Sequence, residues 1–175
     1  MHDDLSVRRY RPADRTRVQD LHETAMRDVG AYIEEEADED LENVTEAFLE
    51  RGGEFLVGEV DDRIVAMGAF RPLEDDHHIG PFVDDLPSSA VVLSRMRVDP
   101  AYQRRGYGQQ LYDELEARAR NRGVAEIVLD TMARQTAARG LYESNGFEEV
   151  CRERIEAFDD PFELLVYRKS LLERE

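Results

Sequence analysis

The spacing of apolar residues along the chain switches between a period of two and a helical period. Apolar runs predict strands at residues 54–60 and 63–70, and the Asp61-Asp62 pair between them predicts a hairpin turn. Apolar positions three and four residues apart predict helices. We predict seven strands, at residues 5–11, 54–60, 63–70, 90–98, 126–132, 147–155 and 163–169, and four helices, at 13–26, 41–49, 106–122 and 136–144. This order predicts a single layered α/β domain over residues 1–175.

The charged residues predict a strongly acidic surface. The chain carries 23 basic and 40 acidic residues, a formal net charge of −17, and Lys169 is its one lysine. A G+C-rich coding bias would explain the shortage of lysine without selection on the protein. A dense acidic surface also suits molar salt, where the Debye length shrinks to about 3 Å and self-repulsion is screened. We favour a halophilic host, and the coding bias stays open as the alternative.

The same charge limits the partners of the chain. An acidic surface repels nucleic acid and anionic lipid over most of its area, so we expect neither as a partner. An anionic ligand must then be held by a local cluster of arginines or backbone amides.

Cysteine content and apolar run length bear on the compartment. Cys151 is the one cysteine, which excludes an intrachain disulfide and a cysteine-based metal cluster. We interpret it as a packing residue in a strand, and we expect no metal site. Residues 1–11 contain no apolar core of signal length, and nowhere do about 18 apolar residues follow one another. We therefore expect a cytoplasmic protein without a membrane span.

The segment Gln-Arg-Arg-Gly-Tyr-Gly at residues 103–108, which we call the anion loop, follows a predicted strand and opens a predicted helix. The first N–H groups of a helix lack intrahelical acceptors, and the helix dipole favours an anion there. Gly106 and Gly108 let a ligand approach the backbone, and Arg104 and Arg105 add positive charge. A diphosphate fits this pattern. A plain helix entry with surface arginines would show the same residues and stays open.

Two nucleotide-binding patterns do not fit the anion loop. The dinucleotide fingerprint needs a third glycine three residues after Gly108, where the chain has Leu111. The nucleoside triphosphate loop needs Gly-Lys followed by Ser or Thr, which is absent here. A diphosphate in the anion loop must then belong to another kind of ligand.

Two segments resemble the signatures of one family. Arg-Val-Asp-Pro-Ala-Tyr-Gln-Arg-Arg-Gly-Tyr-Gly-Gln-Gln-Leu, residues 97–111, is similar to the acyl-CoA-binding motif of the GNAT superfamily of N-acetyltransferases, Gln/Arg-x-x-Gly-x-Gly/Ala. Ala-Ala-Arg-Gly-Leu-Tyr-Glu-Ser-Asn-Gly-Phe, residues 137–147, is similar to the family's Leu-Tyr-x-x-x-Gly-Phe signature. The predicted element order also resembles that of the family. The resemblance implies a GNAT-like α/β fold, with a central mixed, mostly antiparallel sheet of about seven strands flanked by about four helices.

The resemblance also implies an activity and a donor site. It implies transfer of an acetyl group from acetyl-CoA to a primary amine of a small molecule or peptide, by direct attack in a ternary complex. The diphosphate would lie on the anion loop, and the pantetheine would follow the edge of the strand that ends at residue 98. The donor-binding residues implied in this way are Met96, Arg97, Val98, Arg104, Arg105, Gly106, Tyr107, Gly108, Gln109 and Gln135. A non-catalytic acyl-CoA-binding regulatory module stays open as the alternative function.

Tyr142 occupies the tyrosine position of the second signature. The resemblance implies that it is the general acid that protonates the departing CoA thiolate. A phenol with a pKa near about 10 is protonated at neutral pH and can donate as charge builds on sulfur. An aromatic packing role beside Leu141 is the alternative interpretation.

Two positions depart from the family's pattern. Gln135 stands where relatives often carry Asn, and its longer side chain could still reach the pantetheine. Residues 91–94, Val-Val-Leu-Ser, lack the Glu that many relatives place in that strand. We therefore name Glu74, His77 and His78 as candidate bases, because they precede that strand and an imidazole titrates near neutrality. Surface histidines without a catalytic role are common, so that alternative stays open.

Arginines on predicted strands offer a contact for the acceptor. We hypothesise that Arg95 or Arg71 pairs with a carboxylate on a small amine substrate. Ion pairing of these arginines with the acidic surface is the alternative. Dimers are common in the resembling family, and we expect a homodimer contact at the last two strands, residues 147–155 and 162–168.

Overall fold

The computed structural model describes residues 4–33, 38–74, 79, 83, 85–156 and 161–172. Within these ranges it contains seven strands: β1 Ser6–Arg9, β2 Glu54–Val60, β3 Arg63–Pro72, β4 Val91–Val98, β5 Glu126–Met132, β6 Glu148–Ile155 and β7 Phe162–Ser170. It also contains four α-helices: α1 Arg15–Asp28, α2 Glu39–Glu42, α3 Tyr107–Asn121 and α4 Thr136–Ser144. Short 3-10 turns lie at Pro12–Asp14 and Pro100–Tyr102, and a π turn lies at Thr45–Leu49.

The seven strands form one sheet in the order β1-β2-β3-β4-β5-β7-β6. All neighbouring strands are antiparallel except β4 and β5, which are parallel. The predicted mixed, mostly antiparallel sheet of about seven strands flanked by about four helices is therefore confirmed. No helix in the described ranges combines the length and the apolar character that crossing a membrane requires.

Local sequence signals explain two of the connections. Asp61 and Asp62 join β2 to β3 with φ angles of 51° and 65°, the left-handed pair that a type I′ hairpin turn needs. The predicted helix at 41–49 is instead interrupted at Asn43, whose φ of −135° is not helical. Its side chain donates a hydrogen bond to the Glu39 carbonyl, an alternative to the helical ladder that Asn often takes.

Helices cover both faces of the sheet. On one face, α3 buries Leu111 and Leu115 against Leu56 and Phe70. On the other face, the residues between these strand positions meet α1 and the π turn, in a cluster that includes Val18, Leu21, Phe48, Phe55, Val57 and Met67. The strand period of two thus divides the core into two layers.

The sheet opens between β4 and β5. These strands pair at only two positions, Val91 with Ile127 and Val92 with Val128, although both strands continue beyond them. We call the space between residues 93–98 and 129–132 the wedge. Backbone groups along its edges have no neighbouring strand, so the wedge is the place in the sheet where an extended ligand can be received.

A β-bulge shapes the β4 side of the wedge. Met67 of β3 pairs with Arg97, and Ala69 pairs with Ser94, so that Arg95 and Met96 together stand opposite Gly68. Arg95 takes a φ of 60°, which is uncommon for a residue with a Cβ. Bulges of this kind redirect side chains beside functional sites, and this one sets the direction of Arg95 and Arg97.

Candidate active site

The anion loop leads into the N-terminus of α3. Gly106 is the residue before the helix and has a φ of 79°, a left-handed conformation that glycine adopts at little cost. The first helical hydrogen bond runs from the Gln110 N–H to the Gly106 carbonyl. The N–H groups of residues 107–109 therefore precede the ladder, as an anion site at a helix start requires.

The two arginines of the anion loop are exposed, with different surroundings. Arg104 has a φ of 67°, so the loop holds two left-handed residues within three positions. Arg105 lies over the ring of Tyr102, with 5.0 Å from its guanidinium carbon to the ring centroid. A Cβ on Gly108 would make ordinary contact with Leu141 and Val98 at 3.7 Å, so its neighbours in the protein do not demand a glycine there.

A pair of amides connects the two sequence signatures. Gln109 of the first signature and Asn145 of the second donate to one another's side-chain oxygens, each at 2.9 Å. Gln109 also donates to Asp113, and the Asn145 amide donates to the Leu141 carbonyl. The N-terminus of α3 is thus fixed to the C-terminus of α4, on which Tyr142 lies.

The backbone of β4 presents polar groups to the wedge. The Asp99 N–H donates to Val65 on β3, so the alternation of a strand turns the polar groups of Val98 and Met96 to the opposite edge. The Val98 carbonyl accepts from the Gln103 side chain at 3.2 Å, and the Met96 carbonyl accepts from Arg97 at 2.8 Å. A carbonyl has two lone pairs, so each keeps capacity for a ligand.

A cleft of about 1060 Å³ lies beside the wedge, between β4 and β5 on one side and α1 with α2 on the other. The sequence-predicted residues that line it are Arg71, Glu74, Arg95, Arg97, Gln135 and Tyr142. The anion loop is not part of its lining. His77 and His78 lie outside the described residues.

Tyr142 is buried at the wall of this cleft. Its ring packs against Phe147 and Tyr167 at centroid distances of 5.7 and 6.3 Å. The hydroxyl makes no hydrogen bond within the described part of the chain. Burial raises the pKa of Tyr142 to about 12, while the positive charge of Arg97 opposes the rise. The phenol is therefore protonated at neutral pH and able to donate to a ligand.

Gln135 lies just before α4, at the wedge end of the cleft. Its side-chain oxygen accepts from the Met132 N–H at 2.9 Å, which fixes the amide at the end of β5. Its nitrogen lies 3.7 Å from the sulfur of Met26. Near Gln135, Thr131 has the one buried side-chain oxygen or nitrogen, among those the structure describes, that lacks a hydrogen-bond partner. Both residues line the cleft and can bond a ligand there.

Arg95 is held by two aspartates, and one of its Nη atoms also lies 3.2 Å from Nε2 of His22. Asp40 accepts from its Nε at 2.9 Å and from an Nη at 2.6 Å, and Asp38 accepts at 3.1 Å. These carboxylates neutralise the guanidinium, so Arg95 is poorly placed to hold a substrate carboxylate. Arg71 lies over the ring of Phe48 at 5.3 Å and has no ion pair with a described carboxylate.

Arg97 is held in a different way. Its Nε donates to Nδ1 of His22 at 3.2 Å, and no described carboxylate pairs with it. His22 is buried on α1, and burial together with the charges of Arg97 and Arg95 lowers its pKa to about 2. The imidazole is therefore neutral. Burial and the nearby charge of Arg95 lower the pKa of Arg97 to about 10, which leaves the guanidinium charged at neutral pH.

Carboxylates that could act as a base are present in the cleft. Glu74 is half exposed and forms an ion pair with Arg51 at 2.5 Å, so it is not placed against the wedge. Asp130 on β5 lines the cleft and lies close enough to Tyr142 to raise the pKa of its phenol. Within the described ranges, no three His, Cys, Asp or Glu side chains are arranged to hold a metal ion.

Sequence reasoning missed His22 and Asp130. A signal for His22 was present, because residues 18, 21, 22, 25 and 26 follow the helical core spacing and only His22 among them is polar. Asp130 comes directly after the buried apolar run at residues 127–129 of β5. A titratable residue within or directly after an apolar pattern is the common feature of both.

Solved structures with this fold include acetyltransferases. The chain is similar to an acetyltransferase of the GNAT family from Staphylococcus aureus Mu50, with a TM-score of 0.79 and 20% identity over 97% of this chain and 100% of that one. It is also similar to yncA, a putative acetyltransferase from Salmonella typhimurium solved with its cofactor acetyl-CoA, with a TM-score of 0.76 and 20% identity over 98% and 96% of the two chains. At these identities the similarity concerns the fold.

Curated proteins match parts of the sequence. Human N-acetyltransferase 8 is 29% identical over 119 residues, which are 67% of this chain and 49% of that protein. The ribosomal protein bS18-alanine N-acetyltransferase of Escherichia coli K12 is 46% identical over 57 residues, 33% of this chain and 38% of that protein. The chain thus spans about half, or less, of the length of these relatives. The profile of the acetyltransferase (GNAT) family matches residues 16–147, most of the chain. This chain therefore belongs to the GNAT family of acetyltransferases.

Proposed function

We propose that the chain is an acetyl-CoA-dependent N-acetyltransferase that acetylates a primary amine of a small molecule or peptide. The observation that carries this proposal is the position of Tyr142, a buried and protonated phenol that lines the cleft beside the wedge. Family membership and the N-acetyltransferase names of the curated relatives support catalysis over a binding module without activity.

Acetyl-CoA would occupy the wedge and the anion loop. The amides of residues 107–109, with Arg104 and Arg105, would bind the diphosphate, and Gly106 gives the loop its left-handed entry. The backbone of Met96 and Val98 would bond the pantetheine. Gln135 is a further donor to it.

The reaction then needs only groups that the cleft contains. The neutral amine attacks the acetyl carbonyl, so that a C–N bond forms and the C–S bond breaks. Tyr142 gives its proton to the departing thiolate, and a base takes the proton that the amine loses. Holding donor and acceptor together in one cleft supplies much of the acceleration, and no covalent enzyme intermediate is required.

Three groups compete for the role of base. Glu74 and His78 remain predicted bases, although the ion pair of Glu74 with Arg51 holds that carboxylate at the outer part of the cleft. Asp130 joins them because it lines the cleft and acts electrostatically on Tyr142. A carboxylate beside the acid can take a proton from the amine directly or through one water.

A Tyr142→Phe variant tests the proposed function. We expect turnover with acetyl-CoA and a panel of primary amines to fall about 100-fold, since a general acid contributes at least that much. We expect acetyl-CoA affinity, measured by calorimetry, to stay unchanged, because the ring still packs against Phe147. CoA release followed with a thiol reagent gives the rate.

A matched control is Tyr167→Phe, which removes the hydroxyl of a neighbouring tyrosine that donates to Glu143 outside the cleft lining. Its turnover should stay within about twofold of wild type. Wild-type turnover in Tyr142→Phe would contradict the acid role. A wild-type protein that binds acetyl-CoA but acetylates no amine in the panel would instead favour the binding module.

Three further predictions concern the setting of this activity. A cytoplasmic location, a homodimer through β6 and β7, and a halophilic host are all proposed from the sequence. The exposed Val150 on the edge strand β6 supports the dimer contact. Sedimentation at low and at molar salt measures the oligomeric state and bears on the proposed halophilic host.

A further inference from the structure

Arg95 and Arg97 lie two residues apart on β4 and share the carboxylates of the cleft unequally. Arg95 forms ion pairs with both Asp38 and Asp40. Arg97 pairs with neither of them, and no other described carboxylate is its partner. His22 contacts both guanidiniums, but the bulge at Arg95 turns only Arg95 toward Asp38 and Asp40 and leaves Arg97 facing the wedge.

His22 orients Arg97 without neutralising it. The imidazole accepts from Arg97 through Nδ1, so we assign the proton to Nε2, which lies 3.4 Å from an Asp38 oxygen and 3.2 Å from an Nη of Arg95. With this tautomer the Asp38 oxygen is the acceptor, and the Arg95 contact is a close approach of two donors rather than a hydrogen bond. A neutral acceptor fixes the direction of the guanidinium while leaving its full charge in place. This differs from an ordinary buried arginine, whose charge is paired with a carboxylate.

The remaining N–H groups of Arg97 are available to a ligand. A guanidinium has five N–H donors, and the contacts with His22 and the Met96 carbonyl use two of them. The rest include hydrogens on both terminal nitrogens, which suits the two oxygens of a carboxylate. Arg97 also lies close enough to Tyr142 to act on its pKa.

We propose that Arg97, oriented by His22, binds the α-carboxylate of an amino acid acceptor. This inference rests on the proposed function and names its substrate class. In an α-amino acid the amine is one carbon away from the carboxylate. A carboxylate on Arg97 therefore holds the amine near Tyr142, where the thioester must lie for Tyr142 to protonate the thiolate. A peptide N-terminus has an uncharged amide at the same position and loses the ion pair.

The mouth of the cleft fits a zwitterion as well. Glu39 and Glu46 line its outer part, and the described contacts give neither of them an ion pair. Their charge favours the entry of the ammonium of an amino acid into the cleft, and Arg97 then binds the carboxylate. A polyamine has no group for Arg97 and would place a cation against it.

The experiment compares acceptors that differ only at the carboxylate. The twenty common L-amino acids are assayed first, and the best of them is then compared with its C-terminal amide and with spermidine. We expect kcat/KM for the amino acid to exceed that for the amide by about 10- to 100-fold, the range for a charged hydrogen-bonded contact. In Arg97→Gln this preference should disappear, because the amino acid loses more activity than the amide.

Two further variants separate the explanations. Arg97→Lys keeps the charge without the paired donors, and we expect it to recover part of the preference. Arg63→Gln, at an exposed arginine outside the cleft, is the control and should keep the full preference. Calorimetry of amino acid binding in the presence of CoA reports on the same contact without turnover, and thermal unfolding confirms that each variant is folded.

Three results would overturn the inference. Equal loss of kcat for amino acid and amide in Arg97→Gln would mean that Arg97 acts on the transition state. Loss of the preference in Arg71→Gln alone would assign the carboxylate to Arg71. Efficient acetylation of the amide or of spermidine by wild type would exclude carboxylate recognition while leaving the proposed function intact; no acetylation of any amine would remove both.

Discussion

Two arginine clusters in this protein use carboxylates in opposite ways. In the first, the fully buried Glu54 of β2 accepts from Arg9, Arg118 and Arg122 at 2.7 to 3.2 Å. In the second, the cleft cluster, Asp38 and Asp40 are both taken by Arg95, and Arg97 is left with a neutral histidine. In the first cluster the arginines pair with a carboxylate of the protein. In the second, Arg97 keeps N–H donors that no described residue accepts.

The difference follows from position in the sheet. Glu54 begins β2, which pairs with β1 and β3, and its arginines come from β1, from α3 and from the residue that follows α3. Arg97 stands at the wedge, where the ladder between β4 and β5 has already stopped. A buried charged group in a closed region of the sheet needs a partner within the protein, whereas a charged group at the wedge can pair with a bound ligand.

The largest effect we expect comes from breaking the first cluster. Glu54→Gln removes the charge that three arginines share, and we expect the free energy of unfolding to fall by about 3 kcal/mol. Chemical denaturation near pH 7 measures it. Catalytic rate per folded molecule should not change, because none of these residues lines the cleft.

Glu114→Gln is the matched control for that change. Glu114 pairs with the same Arg118, but its side chain is 45% exposed, and exposed pairs contribute little. We expect a loss of less than about 0.5 kcal/mol. Equal losses in the two variants would mean that the burial of Glu54 does not matter.

An intermediate effect tests the neutral histidine of the cleft cluster. The folded pKa of His22, about 2, lies below the unfolded value of about 6.5, so the unfolded chain takes up a proton first as the pH falls. The stability contribution is fully present above pH 6.5 and is lost as the pH drops. From pH 7.5 to 5.0 wild type should lose about 2 kcal/mol more than His22→Gln, measured by denaturation at both values. Parallel pH profiles would show that the folded His22 titrates normally.

The smallest effect concerns the anion loop. Gly106→Ala places a Cβ at a φ of 79°, and we expect about 1 kcal/mol of destabilisation and weaker acetyl-CoA binding. Gly140→Ala, inside α4 with open space around the new Cβ, should instead stabilise the protein by about 0.5 kcal/mol or more. Thermal denaturation of both variants shows whether their changes in stability have opposite signs. The same sign in both would contradict the role of the left-handed conformation.

Local patterns explain why the sequence predicted so much of the fold. The hairpin at Asp61 and Asp62, the apolar face of α3 and the glycine before it are each encoded by neighbouring residues. Tyr142 and Gln135 could be named because the two signatures resemble those of a family, and both line the cleft. Their roles remain predictions.

The sharing of charge in the cleft could not be predicted in the same way. Alternation along β4 indicated that Arg95 and Arg97 face one side, but it could not show that Asp38 and Asp40 both reach Arg95. Those contacts join residues 55 and 57 positions apart and depend on the bulge. We therefore propose Arg97, rather than Arg95, as the residue that binds the substrate carboxylate.

The two-residue pairing of β4 with β5 also has a consequence for the lifetime of the protein. A pantetheine bonded along the wedge would act as a substitute strand, so the sheet would be complete only with its donor. Acetyl-CoA at 100 times its Kd would add about 2.7 kcal/mol to the free energy of unfolding. The resistance of this protein to unfolding and proteolysis would then follow the cell's supply of CoA and its thioesters.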